Sequence, residues 1–421
     1  MARISRRQFK KALGLSVAAL TFPNLAFGAK PKVAVIGGGA GGATAARLIS
    51  KETNGAIDVT LIEASKSYFT CFYSNLYLGG YRSYSSIGHN YYNLAVKHGI
   101  NIIHEWAISV DTSRRLVKLE SGASIPYDRL ILSPGIDFKF DSIPGYSPDI
   151  HSRMPHAWRP GTQTQLLKNQ VLNMKKGGTF IMVPPTNPYS CPPAPYERVS
   201  MVAHLLKDNN PSAKIIILDP KPKFAKQGLF MDGWEHYYPG VIEWIDPEMH
   251  GGIQSINASK MEFVTDLDTF TADAACVIPA QKTGVIATAA GVNDGDWCPV
   301  YPNTMASKAN PNIYVLGDAS IAKPMPKSAS SANSQAKVAA KSICHELLGG
   351  ARLPARYTNT CWSLIATNDG IKVGANYEAD LNKIEIVNKF ISKKDETAEK
   401  RKNTYEESID WYRKITTDMF S

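Results

Sequence analysis

The 421-residue chain contains no CxxC and no CxxCH, so neither a zinc ribbon nor a covalent c-type haem site is written into it. Its nine histidines are scattered without an HxxxH-like pair, and no metal site is expected. No apolar run approaches the roughly 20 residues of a membrane-spanning helix; ALGLSVAALTF, near the start, stops at Phe22. Charge of one sign is scarce as well. The formal net charge of +10 halves once residues 1–28 are set apart, because Arg3, Arg6, Arg7, Lys10 and Lys11 stand there without any acid. The remaining 42 basic and 37 acidic residues form no basic and aromatic stripe, which argues against nucleic acid as a partner. The densest charged run, KKDETAEKRK at 393–402, mixes signs and reads as a solvated segment. Glycine is missing where it would matter most. The stretch VPPTNPYSCPPAPYER, residues 183–198, holds six prolines and one cysteine and no glycine.

What is present begins with a leader. SRRQFK places Arg6 and Arg7 before the short apolar run, and AFGA at 26–29 offers small residues for cleavage after Gly28. Residues 1–28 are therefore read as a twin-arginine signal peptide, a route that exports proteins already folded around a cofactor, and the mature protein is expected in the periplasm. The rest is long enough for two or three cores. Its 44% hydrophobic and 20% charged residues are ordinary for a soluble globular protein. Six cysteines, at 71, 191, 276, 298, 344 and 361, make disulfides possible in an exported chain.

KVAVIGGGAGGATAARLIS opens with a buried-strand pattern, Val33 to Ile36, and continues with Gly37, Gly39 and Gly42 in the spacing GxGxxG. A small-residue helix follows, then the strand IDVTLIE, which ends in Glu63, 21 residues beyond Gly42. Strand, glycines, helix, strand and acid in this register predict a dinucleotide site. The glycines let the backbone approach a pyrophosphate, and Glu63 accepts from the adenosine ribose. Two later segments make the dinucleotide FAD. YDRLILSPG (127–135) resembles the strand at which flavoprotein chains leave the FAD domain. NIYVLGDAS (312–320) is an apolar strand running into Gly317-Asp318 and resembles the segment of two-dinucleotide flavoproteins in which the aspartate of such a pair binds the ribityl chain. The helix expected after it, PMPKSASSANSQAKVAAKSICHELL, turns its positive end toward the pyrimidine edge of a flavin.

GGTFIMV, YERVSMVAHLLK and AKIIILD, between residues 177 and 219, repeat the strand–helix–strand rhythm. The proline-rich stretch stands at the turn where a second glycine loop would hold NAD(P)H. Proline has no N–H to donate, and without glycine the backbone cannot approach a pyrophosphate, so this half-site is expected to be degenerate. What the turn carries instead is Cys191. Its partner, if it has one, is not set by spacing.

These motifs resemble those of a known family. VIGGGAGGATAA, YFTCFYSN, YDRLILSPG, PHAWRPGTQT, CPPAPYER, WCPV, GDASIAKPMPKSASSANSQAKVAA and NTCWS stand in the order and spacing of the flavoprotein subunit of flavocytochrome c sulfide dehydrogenase. The resemblance runs over essentially the whole mature chain, and sulfide:quinone oxidoreductases are more distant relatives. It implies that Cys71 is bonded through sulfur to the flavin 8α-methyl group. It also implies that Cys191 and Cys361 form the redox disulfide at the flavin, with Glu197 nearby as a base. Ala194 stands where the family motif CPPGPYER has glycine. Haem is implied only in a partner, a c-type cytochrome subunit forming a heterodimer through about Leu353 to Ser421. Trp411, in ESIDWYRKI, matches a family tryptophan near the path from flavin to haem, and packing alone accounts for it equally well. Cys276, Cys298 and Cys344 read as buried thiols.

The expected fold is α/β, with two glutathione-reductase-like, three-layer dinucleotide-type domains and a C-terminal α+β interface domain. An FAD domain spans 29–144 and resumes at 281–350. A degenerate NAD-type domain fills 145–280, and 351–421 supplies Cys361 and the cytochrome surface. The expected activity is oxidation of hydrosulfide to sulfur or polysulfide. A sulfide:quinone oxidoreductase is the nearest rival, but the tail ETAEKRKNTYEESIDWYRKITTDMF lacks the broad apolar face of a membrane anchor. A non-enzymatic, FAD-binding accessory of a periplasmic sulfur-oxidation system is the rival of another class.

Overall fold

The computed structural model describes residues 29–421 apart from Pro160. The leader expected over residues 1–28 lies outside the described residues. Strand β1 (Lys32–Ile36) is buried from Val33 onward, as a central parallel strand must be. It leads through the glycine turn into α1 (Gly42–Glu52), then into β2 (Asp58–Ile62), β3 (Asn101–Ile103) and β4 (Arg129–Leu132). In α1, Gly42, Ala43, Thr44, Ala45 and Ala46 are all buried; side chains this small let a second helix pack close against it.

The chain leaves this sheet through Ile136–Lys139, which pairs antiparallel with Ala280–Thr283 on the way back. Between them lies a second parallel sheet. It is built from β5 (Thr179–Val183), β6 (Lys214–Leu218), β7 (Ile242–Ile245) and β8 (Ala274–Val277) in the order β7-β6-β5-β8. Helix α2 (Ala194–Asn209) connects β5 to β6, and α3 (Gln227–Tyr237) connects β6 to β7. On return, β9 (Ile313–Val315) pairs with β4 and completes the first sheet as β9-β4-β1-β2-β3. The long α4 (Ala329–Leu348) then packs on α1, where Asn333 Nδ2 donates to Thr44 Oγ1 at 3.0 Å.

The last part is a three-stranded antiparallel sheet, β10 (Ala355–Ala366), β11 (Asp369–Ala379) and β12 (Ile384–Ile391), followed by α5 (Ala398–Phe420). Thr397 caps α5 by accepting from Lys400 N. Thr404, Ser408, Tyr412, Ile415 and Met419 are buried, a stripe spaced by four and three residues. That narrow stripe is spent on the protein's own core, with Ile415 and Met419 packed among the buried residues of the first sheet. The α/β class, the two dinucleotide-type sheets and the C-terminal sheet and helix are as the sequence predicts. Residues 31–421 form one compact unit. Among the described residues no helix is long and apolar enough to cross a membrane.

Candidate active site

One cavity of about 350 Å³ runs from the glycine turn to the C-terminal sheet. Two glycines shape the turn at its end by what they leave out. Gly37 has φ +99°, and a Cβ there would meet Ser133 O at 2.3 Å; a Cβ on Gly42 would meet Gly37 O at 1.9 Å. The turn therefore closes only with hydrogen at both positions. Gly39 differs, since its nearest protein atom would lie 3.5 Å from a Cβ, and it lines the cavity. Glu63 stands outside the lining, its Oε2 accepting from Gly38 N at 2.8 Å and its Oε1 from Ser65 N at 3.0 Å.

Further along, Gly317, Asp318 and the first residues of α4 face the same space. Ser190 Oγ donates to Asp318 Oδ2 at 2.7 Å, while Asp318 Oδ1 is buried without a partner. Burial raises the Asp318 carboxyl above its ordinary range. An unpaired, buried carboxylate oxygen beside an open glycine approach fits a polyhydroxylated chain with hydroxyl donors. FAD is such a group. Gly39 would face its pyrophosphate, with Gly37 and Gly42 closing the turn behind it, while Glu63 would hold a ribose hydroxyl and Asp318 the ribityl chain.

Cys71, Cys191, Glu197 and Cys361 line this same cavity. Cys71 is exposed to it, in the turn before the short helix Ser74–Leu78. The surrounding protein and then the Asp318 carboxylate push its thiol up to about 12. Cys191 sits at φ +55°, three residues before α2, with its N–H bound to Lys327 O at 2.7 Å. Ser190 N donates to Gln281 Oε1 and Tyr189 OH to Pro192 O, so the proline-rich turn is tied down on both sides. Cys361 is buried on β10. All six cysteines are free thiols here; Cys276 and Cys298 are buried as expected, whereas Cys344 is only half-buried.

Glu197 occupies the first turn of α2. Its Oε1 accepts from Leu364 N at 2.9 Å and its Oε2 from Asn75 Nδ2 at 2.8 Å. Burial raises its carboxyl, and those two bonds and the Lys226 and Arg198 charges work against the rise. Arg198 is 2% exposed. It donates to Asn75 Oδ1, His156 O, Ala157 O and Cys276 Sγ, and lies over the Trp158 ring at 4.9 Å. Trp411 borders the cavity between the neighbours of two cysteines. Its ring lies 5.4 Å from Phe72 and 5.2 Å from Trp362.

The second half-site is closed by its own side chains. Asp219 follows β6, where an acid would meet a nicotinamide-nucleotide ribose. It is fully buried, and accepts from Tyr196 OH at 2.6 Å, Trp244 Nε1 at 3.1 Å and both Lys221 N and Lys221 Nζ at 3.1 and 2.7 Å. Tyr196 also stacks on Phe224 at 3.6 Å. With all its acceptor directions taken, Asp219 has nothing to offer a ribose.

Two dinucleotide-type sheets, one glycine turn and a cysteine-lined cavity between FAD-type residues define a flavin-dependent oxidoreductase of the pyridine nucleotide-disulphide oxidoreductase class, whose family pattern matches residues 31–171. Residues 164–279 match the central part of the sulfide dehydrogenase [flavocytochrome c] flavoprotein chain. Residues 353–420 match the flavin-binding part of flavocytochrome c sulphide dehydrogenase. The chain belongs to this family of sulfide dehydrogenase flavoprotein chains. In fold it is similar to the sulfide:quinone oxidoreductase of Aquifex aeolicus, at 18% identity and a TM-score of 0.69 over 92% of each chain. It is also similar to an NAD-dependent persulfide reductase from A. fulgidus, at 15% identity and a TM-score of 0.62, over 82% of this chain and 71% of that one.

Lys226, Asn75, Arg198 and Asn359 also stand at or beside the cysteines. Arg198 lies inside the motif CPPAPYER and was open to notice. Lys226 is one of three lysines in KPKFAK, and nothing local separates it from the other two.

Proposed function

We propose that the protein is the flavoprotein subunit of a sulfide dehydrogenase. It oxidises hydrosulfide to sulfur or polysulfide through a redox disulfide between Cys191 and Cys361, with FAD held covalently by Cys71. The observation that carries this reading is the convergence of Cys191, Cys361 and Glu197 on the cavity that also contains Cys71, Gly39 and Asp318. Hydrosulfide attacks one sulfur of the disulfide, which leaves a persulfide on one cysteine and a thiolate on the other. Glu197 takes the proton of the attacking sulfur, a role suited to a carboxylate whose affinity for protons is raised by burial. Bound FAD supplies the two-electron acceptor. A second sulfide or thiol releases the sulfur as polysulfide and leaves two cysteine thiols; passing their two electrons to FAD would re-form the disulfide and return the cysteines to their starting state.

The electrons go on to a c-type cytochrome subunit that carries the haem, docked on the C-terminal region of the flavoprotein. The family is the flavoprotein chain of a cytochrome-containing complex, which supports this partner over a quinone. The buried stripe of α5 supports it too, because no broad apolar face of that helix is left for a membrane. The twin-arginine pattern at Arg6 and Arg7 supports export, so that the complex would work in the periplasm. The test is anaerobic addition of sulfide to purified holoprotein. Flavin bleaching is expected in the unsubstituted protein and is expected to be lost in Cys361→Ser and Cys191→Ser while FAD stays bound. Full bleaching in either variant would sink the disulfide mechanism, and no bleaching in the intact protein would favour the accessory role.

A further inference from the structure

Lys226 is a charged side chain at the cysteines to which this chemistry assigns nothing. It is 7% exposed and stands in left-handed backbone, φ +63°, immediately before α3. Its Nζ donates to Ser363 Oγ at 2.7 Å and to Cys361 O at 3.2 Å. An ammonium has three protons, so one is left. Among the described residues no carboxylate forms an ion pair with it within 4.0 Å.

The strand places that charge with respect to sulfur. Side chains at i and i+2 share a face of a strand, so Asn359, Cys361 and Ser363 stand in a row on β10. The Lys226 bond to Ser363 Oγ brings the ammonium to one end of the row. At the other end Asn359 Nδ2 lies 3.6 Å from Cys361 Sγ. Asn359 Oδ1 accepts from the hydroxyls of Ser328 and Ser331, at 2.6 and 3.1 Å, and from the Cys361 thiol at 3.8 Å; once that thiol loses its proton, the amide N–H is the contact that favours the sulfur. Cys361 Sγ thus has an amide donor beside it, and the Lys226 ammonium is held on the same residue through its backbone carbonyl.

Cys191 has more acidic surroundings. It precedes the positive end of α2, but Glu197 sits in the first turn of that helix and answers its dipole. Burial raises both thiols. Lys226 works against the rise at both sulfurs; at Cys361 it is the leading influence, with Asp318 acting the other way, whereas at Cys191 the Cys361 sulfur, Glu197 and Cys71 all add to the rise and outweigh it.

We propose that Lys226 is a positioning residue that makes Cys361 the leaving thiolate, so that hydrosulfide attacks Cys191. This rests on the reading of Cys191 and Cys361 as a redox disulfide. Hydrosulfide forms a new S–S bond to Cys191 Sγ, and the Cys191–Cys361 bond breaks. Its electron pair stays on Cys361 beside the ammonium, and the proton of the incoming sulfur passes to Glu197. The sulfur of lower proton affinity leaves faster, which sets the direction.

Mapping the incoming sulfur tests this. Oxidised holoprotein is mixed anaerobically with one equivalent of sulfide, quenched rapidly with a thiol-alkylating reagent, and its peptides are weighed. One extra sulfur is expected on the Cys191 peptide and a plain alkyl group on Cys361. In Lys226→Met the first step should slow by about tenfold and the extra sulfur should spread over both cysteines, while Lys226→Arg should keep it on Cys191. Extra sulfur on Cys361 in the unsubstituted protein overturns this proposal alone, and that measurement needs no variant. An unchanged rate and site in Lys226→Met, with FAD retained, also overturns it. No extra sulfur on either cysteine overturns the disulfide reading together with it.

Discussion

The hydroxyl of Tyr196 donates to the carboxylate of Asp219 across 2.6 Å, and both residues are buried. The bond spans the second sheet at the place where a nicotinamide nucleotide would bind, and it joins α2, which carries Glu197, to the end of β6. The fold has kept the strand–helix–strand frame and converted its ligand end into core. Anaerobic NADH or NADPH should therefore leave the flavin oxidised where sulfide reduces it. Tyr196→Phe removes one of four donors from a buried carboxylate and should cost about 1.5 kcal/mol in a urea unfolding experiment. Flavin reduction by NADH in the unsubstituted protein would show that the half-site is still open.

On the proposed mechanism Glu197 should give the sulfide step an acid limb. Its carboxyl is raised by burial, and the group must be ionised to take a proton. Sulfide-dependent flavin reduction should then fall as pH drops through that raised value, above the usual carboxylate range. Glu197→Gln should lower the rate by about a hundredfold or more and flatten this limb. Ionisation of sulfide itself is common to both proteins, so the difference between the two profiles isolates the residue. Parallel profiles would assign the limb to sulfide and not to Glu197.

The first nucleotide turn was legible because backbone sterics dictate it: Gly37 and Gly42 are fixed by carbonyl oxygens that a Cβ would strike. Degeneracy of the second turn was legible for the same kind of reason, from prolines and missing glycines. What the sequence could not display are contacts made across the fold. Glu197 meets Leu364, 167 residues away, and Lys226 meets Ser363, 137 residues away. Each is an ordinary charged residue until β10 arrives beside it. Asp219, at the end of AKIIILD, likewise looks like a ribose acceptor in sequence. Only the positions of Tyr196, Lys221 and Trp244 show that it is already satisfied.

Arg198 links the site to the fold. Its guanidinium fork holds Asn75, whose amide in turn holds Glu197, and it satisfies the carbonyls of His156 and Ala157. Lysine has one nitrogen and cannot serve these divergent acceptors together. Arg198→Lys should destabilise the protein by roughly 3 kcal/mol, read by denaturant unfolding. In protein that still folds, the acid limb set by Glu197 should shift, because Asn75 is no longer oriented. A variant with unchanged stability and an unchanged pH profile would remove Arg198 from this chain of contacts.

Cys71 separates tight binding of FAD from covalent attachment. It faces the cavity at the turn before Ser74–Leu78. Acid-denatured protein should keep the flavin on the peptide that contains Cys71. Cys71→Ser should release FAD into the supernatant on denaturation while still binding it in the folded state. Free FAD from the denatured, unsubstituted protein would end the covalent assignment and leave the other cavity residues as they stand.

Lys226 also leaves a signature in stability. Burial pushes its ammonium from 10.5 down to about 8, and Cys361, Glu197 and Cys191, the groups that face it, act in the other direction. In the unfolded chain the lysine keeps its ordinary affinity, so between about pH 8 and pH 10.5 the unfolded state binds more protons. Stability must then rise with pH across that window, and the contribution is lost again as pH falls toward 8. Lys226→Met has no such proton to bind. Denaturant unfolding of the two proteins at pH 7.5 and pH 10 should show the unsubstituted protein gaining on the variant by roughly 1 to 3 kcal/mol. A constant difference would mean that the ammonium is solvated in the folded protein, and it would then be too weakly coupled to Cys361 to steer the disulfide.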